Sequence, residues 1–155
     1  MQNQRNFLDT DKIVGKWQTK RVILDKLHVT KFVYFGEMTI VSNSKKQLAF
    51  TQQQNNRFSL FDVKESGILK QNGNDYAFSQ TYQLKVFFEK CDILFNNEKL
   101  FFSFKRIAEN QKIEHSCILD QYSGQIIFTG LSSFMITFNV SGPKKQYYLK
   151  ALYRR

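Results

Sequence analysis

Apolar and polar residues alternate along most of the chain from Lys16 onwards. In KWQTKRVIL (16–24), Trp17, Thr19, Arg21 and Ile23 fall on one face of an extended strand. In TKFVYFGEMTIV (30–41), Phe32, Tyr34, Gly36, Met38 and Ile40 fall on one side. Val33, Phe35, Glu37, Thr39 and Val41 fall on the other. KQLAFTQ (46–52) and RFSLFDVKE (57–65) keep the same period on either side of a turn at Asn55-Asn56. A period of two marks strands with one buried face.

The second half repeats the pattern. GILKQNGNDYAFSQTYQLKVFFEKCDILF (67–95) holds two or three strands broken at NGND, the clearest hairpin signal in the chain. LFFSFKRI (100–107), IEHSCILDQY (113–122), IIFTGL (126–131), SFMITFNV (133–140) and QYYLKALYRR (146–155) follow. They are separated by NNEK, AENQK, SGQ and SGPKK, with Gly124 placed to let the chain reverse. Only FLDTDKIVG (7–15) breaks the period. It reads as one helical turn, capped by Asp9 or Thr10 and ended by Gly15. The pattern predicts an all-β fold of roughly nine or ten short strands in one domain spanning 1–155. An antiparallel up-and-down barrel of about eight to ten strands is expected over a sandwich, because closure leaves no open edge.

Composition agrees. Sixteen Phe and seven Tyr against one Pro favour strands. The net charge of +10 is unevenly placed. Residues 1–61 carry ten bases against four acids, 62–119 carry eight of each, and 120–155 carry five bases against one acid. If the first and last strands meet, the excess forms one basic region. Such a region can attract RNA, acidic lipid or an acidic protein, and its simplest role is a solubilising surface.

Several classes lose support. Cys91 and Cys117 are too few for a disulfide framework, and with His28 and His115 they lack metal-ligand spacing. No glycine-rich phosphate loop is present. MQNQRNFLDTDK has no apolar core and carries Asp9 and Asp11, unlike a secretory or transit peptide. No apolar run approaches a membrane span. The expected setting is the reducing cytoplasm, with no metal or cofactor.

The two ends carry a resemblance. Calycin, or lipocalin-like, barrels open with a short turn and then Gly-x-Trp, here Gly15-Lys16-Trp17. This chain also resembles a family of small calycin-like proteins without an established activity. Their members start Gly-x-Trp-x-x-x-Arg, here Gly15, Trp17 and Arg21, and carry Phe-x-Gly, here Phe35-Gly36 without the spacer. A late His-x-Cys-x-x-Asp-x-Tyr is matched by His115, Cys117, Asp120 and Tyr122. Gly-Pro-x-Lys-x-Tyr and Tyr-x-Arg are matched by Gly142, Pro143, Lys145 and Tyr147, then Tyr153 and Arg155. The resemblance implies a calycin barrel whose last strand pairs with its first. Arg154 or Arg155 would then lie across the Trp17 indole and close one end, a contact worth roughly 0.5–2 kcal/mol.

Candidate chemistry is sparse. His115 and Cys117 share a strand face and form a conceivable base and nucleophile. The simpler reading is a small buried thiol beside a half-buried imidazole. Asp120 reads as a turn anchor bonding local backbone, with Tyr122 beside it at the barrel mouth. Lys144 and Lys145 beside Pro143 suggest a basic loop. Arg21, on the Trp17 face, must be paired or solvated if it points inward. It either bonds a buried acid such as Glu37 or Asp62, or holds the acidic head of a ligand. The aromatic strands, among them Phe50, Phe58, Phe78, Tyr82, Phe87, Phe95, Phe102, Phe104, Phe128, Phe134 and Phe138, can line a cavity or fill it.

The expected role is therefore binding of an apolar or amphipathic, even anionic, small molecule, with Arg21, Thr19, Tyr34, His115 and Tyr122 as polar contacts. Two other readings stay open. One is a non-catalytic subunit docking on a protein through the basic ends. The other is a small barrel enzyme using His115 with Cys117 or Tyr122. A nucleic-acid module ranks last: KVFFEK and FFSFKR mix aromatics with bases, but no RNA-recognition motif is present.

Overall fold

The computed structural model describes residues 9–44 and 57–155. The strand expected over 46–52, the turn at Asn55-Asn56 and Phe50 lie outside the described residues. The chain enters through α1 (Thr10–Ile13), whose N-cap Asp9 accepts a hydrogen bond from the Asp11 amide at 3.1 Å. Ten strands follow: β1 (Gly15–Asp25), β2 (Thr30–Ser42), β3 (Ser59–Gln71), β4 (Asn74–Val86), β5 (Lys90–Leu94), β6 (Leu100–Lys105), β7 (Asn110–Cys117), β8 (Asp120–Gly130), β9 (Ser133–Gly142) and β10 (Lys145–Arg154).

All strand pairs are antiparallel, in the order β6-β5-β4-β3-β2-β1-β10-β9-β8-β7. The register of β1 against β10, Gln18 opposite Arg154 and Arg21 opposite Ala151, wraps the meander on itself. The result is a nearly closed all-β barrel of the calycin type. It differs from the expectation of full closure at one seam, between the edge strands β6 and β7. There a side chain replaces the missing ladder rung. The Gln111 amide oxygen accepts from the Lys105 N–H at 2.7 Å, and its nitrogen donates to the Lys105 carbonyl at 2.8 Å.

Alternation sets which face is inside. Trp17, Thr19 and Arg21 are buried and Lys16, Gln18 and Lys20 exposed along β1, and the same alternation runs through β2. The β3–β4 hairpin turns at Asn72-Gly73, where φ is 50° and 80° as a two-residue hairpin turn of the favoured twist requires. RFSLFDVKE and GILKQ form one continuous strand rather than two segments, because Lys64 to Gly67 stay paired on both sides.

The expected single strand over 113–122 is corrected. The chain reverses at Ile118-Leu119, between β7 and β8, and not at SGQ. Gly124 sits inside β8, where a Cβ would lie 1.8 Å from the Thr137 carbonyl oxygen. Its role is close strand approach.

The end where β10 finishes is plugged. Trp17 is 3% exposed, donates its indole N–H to the Ile13 carbonyl at 2.9 Å, and packs edge-on against Phe134. The Arg155 guanidinium lies over the indole at 5.7 Å. Arg154, opposite Gln18, is exposed on the outer face. Below this plug lies a core that includes Met38, Ile40, Val63, Leu84, Phe104, Ile126 and Phe128.

Candidate functional site

The barrel interior is not filled. A cavity of about 350 Å³ extends from Phe134, which packs on Trp17, to Tyr122 and Tyr147 toward the other end. Its wall is largely apolar: Met38, Ile40, Val63, Leu84, Ile93, Phe102, Phe104, Ile126, Phe128, Phe134, Ile136, Phe138, Val140, Leu149 and Ala151. Tyr82 and Phe95 belong to the lining as well. Phe58 instead packs on Phe87, and Phe78 on Tyr34. The lining reaches solvent at Thr81 and at Phe95, which is 39% exposed. That opening follows from strand length: β5 pairs with β4 only over Gln83–Val86, leaving the first half of β4 without a neighbour on that side.

Arg21 is the cation inside. It enters from β1 because it shares the inward parity of Trp17, and it meets Glu65 rather than Glu37 or Asp62. Its Nη2 lies 3.0 Å from both Glu65 carboxylate oxygens and donates to the Tyr153 hydroxyl at 3.2 Å. Gln80 donates its amide to the other side of the Glu65 carboxylate. Glu65 itself is completely buried. Burial disfavours the guanidinium charge. Electrostatic attraction to Tyr153 and Glu65, with the hydrogen bonds to both, more than compensates, so Arg21 is held above its ordinary range. Tyr153 titrates late, pushed up to about 12 chiefly by burial.

Glu37 and Asp62 point outward and are engaged there. Glu37 pairs with Lys16 at 3.1 Å. Asp62 accepts from Asn43 at 2.6 Å and Gln83 at 2.9 Å. The signal for Glu65 is present in the sequence: Phe61, Val63 and Glu65 share a parity.

Of the five polar contacts expected from the sequence, Arg21 and Tyr122 line the cavity. Tyr34 lies under the Arg21 guanidinium at 5.2 Å, edge-on to Phe78. Thr19 is buried one pleat away from Arg21. The Thr19 hydroxyl, the Tyr34 hydroxyl and the Arg21 Nε are buried with no hydrogen-bond partner among the described residues.

His115 sits opposite Tyr122 on the β7–β8 ladder and packs on Phe95, Phe101 and Tyr122. Burial among those rings lowers its pKa below the ordinary imidazole value. Cys117 is exposed at the hairpin tip, which corrects the expectation of a buried thiol. Cys91 is the buried one, and its thiol is held well above the usual range by burial. Asp120, expected to anchor local backbone, instead pairs with Lys145 at 3.0 Å, so the basic loop reduces to Lys144. Tyr147 lines the cavity with Tyr122, and burial raises its pKa. No group of three metal-ligating side chains occurs among the described residues. Within them no helix is long and apolar enough to cross a membrane.

The barrel is similar to a solved structure, the S-type phycobiliprotein lyase CPES from Guillardia theta. The TM-score is 0.65 at 10% identity, covering 94% of this chain and 89% of that one. At that identity the likeness concerns the fold alone. EF1p2_mFAP2b bound to DFHBI aligns over 97% of this chain and 100% of that one, at 11% identity and a TM-score of 0.47. No curated protein matches the chain in sequence. Residues 13–155 match the family described as "Family of unknown function (DUF6314)", and the chain belongs to that family.

Proposed function

We propose that the barrel holds one small, largely apolar and uncharged molecule that carries a hydrogen-bond acceptor. The observation that supports this reading is the cavity of about 350 Å³ itself. Its size falls within the roughly 300–1,000 Å³ common for ligand pockets. A barrel kept only for stability would gain by filling that space, because packed interiors leave few voids larger than water.

The polar groups narrow the ligand class. Glu65 already neutralises Arg21, the cation of the lining, so an anionic head would bring in a charge that this pair does not balance. An uncharged ligand avoids that penalty, and an acceptor on it can meet Tyr122, which lines the cavity. Tyr122 and Tyr147 at the rim would orient the far end of the molecule.

The test is a titration with N-phenyl-1-naphthylamine, a neutral apolar fluorophore. The wild type should bind it at one saturable site. Ala151→Phe, which pushes a ring into the cavity from a lining position, should lose that site while keeping the wild-type circular dichroism spectrum. Unsaturable binding, or equal binding by the variant, would count against the proposal.

A further inference from the structure

Three hairpins stand side by side at the end of the barrel opposite Trp17, because β2-β1, β10-β9 and β8-β7 are successive pairs in the sheet. Their tips are Leu27-His28-Val29, Pro143-Lys144 and Ile118-Leu119. Val29 and Ile118 are 91% and 94% exposed, and Leu119 is 69% exposed. Val29 and Ile118 also hold φ at 51° and 54°. That left-handed backbone is a genuine outlier for a β-branched side chain; Asn or Gly belongs there. The Asn72-Gly73 turn at the same end obeys the rule. Two separate hairpins therefore accept strain and water exposure to present an aliphatic side chain at the tip. Folding gains nothing from either.

The surrounding polar residues are basic. Lys26, Lys31 and Lys144 are exposed at this end. The acids nearby are engaged: Asp25 by His28, Asp120 by Lys145 and Asp75 by Lys70. The outer two tips are separated by four strand spacings, roughly 20 Å. A protein partner would need one continuous apolar patch to bury. Aliphatic points spaced so widely, with cations between them, suit a fluid surface with an apolar interior and anionic headgroups.

We infer that this end of the barrel docks on an anionic lipid bilayer. Val29, Ile118 and Leu119 enter the acyl boundary, and Lys26, Lys31 and Lys144 sit among the headgroups. Ile118 lies three residues beyond His115, whose ring touches Phe95 at the cavity opening. Docking therefore sets that opening beside the membrane. If the cavity takes an apolar ligand, as proposed above, the ligand would reach it without crossing bulk water. Docking itself requires no ligand.

Vesicle sedimentation tests it, using phosphatidylcholine vesicles with and without phosphatidylserine. The wild type should bind the phosphatidylserine vesicles at least about tenfold more tightly than phosphatidylcholine alone. Val29→Asn/Ile118→Asn places a residue suited to the left-handed backbone at both tips, so it should unfold no earlier than wild type. It should nevertheless lose vesicle affinity at least about tenfold. Equal binding by this variant, or no binding of the wild type to phosphatidylserine vesicles, would overturn the inference. So would self-association without vesicles that the variant abolishes, which would assign the tips to a second copy of the chain.

Discussion

Arg21 and Glu65 meet inside the barrel through a single nitrogen, with Nη2 3.0 Å from each carboxylate oxygen. The two charges cancel where Glu65 is fully buried and Arg21 nearly so, and the guanidinium lies over the Tyr34 ring. Removing Arg21 alone strands a buried carboxylate. Arg21→Met should therefore destabilise the protein by about 3–5 kcal/mol. Arg21→Met combined with Glu65→Leu should recover most of that loss, because a buried ion pair is often replaceable by apolar side chains. Urea denaturation of the single and double variants measures both.

The plug at the other end has two components of unequal weight. Trp17→Ala removes a large buried ring and its hydrogen bond to Ile13, and should cost about 3–5 kcal/mol. Arg155→Met removes only a cation at 5.7 Å from the indole and should cost about 0.5–1 kcal/mol. Equal losses in thermal or urea unfolding would make the cation, and not the indole, the centre of the plug.

His115 gives the protein a mild acid sensitivity. Its folded pKa is lowered by burial, so the unfolded chain binds the proton first. Stability is unaffected well above the ordinary imidazole value near 6.5, and falls as pH drops below it. The wild-type urea midpoint should decline between about pH 7 and pH 5, and His115→Phe should decline less over the same interval. An NMR titration of the imidazole should place its midpoint below the ordinary value. A midpoint above it would reverse the sign.

At the seam, Gln111 stands in for a strand. Gln111→Ala should cost about 1 kcal/mol, since two hydrogen bonds pass to water at a partly exposed site. The sharper readout is local: the Lys105 amide, which loses its acceptor, should exchange faster with solvent while amides in the centre of β1 do not change. Unchanged exchange at Lys105 would mean that the seam holds by packing alone.

The strands with clean alternation were readable from the sequence. β1, β2 and the Asn72-Gly73 hairpin needed nothing but parity and one turn motif. The β7–β8 turn was not readable, because Ile118 and Leu119 carry no turn chemistry and continue the apolar run. The nearby Ser123-Gly124 carries turn residues but is a close approach of β8 to β9. Glu65 closes the RFSLFDVKE pattern on the inward parity of Phe61 and Val63, but a charge there breaks the apolar run and does not by itself mark an inward side chain. Glu37 and Asp62 lie on outward parities, beside the inward-facing Met38 and Val63. The cavity itself is a difference between side-chain volume and barrel size, and no local pattern encodes that difference.

Native mass spectrometry of the protein purified from its own cells tests the central claim most directly. The expected spectrum shows one small molecule retained per wild-type chain, and the bare chain mass for Ala151→Phe. Bare mass for both proteins would contradict a ligand-holding barrel.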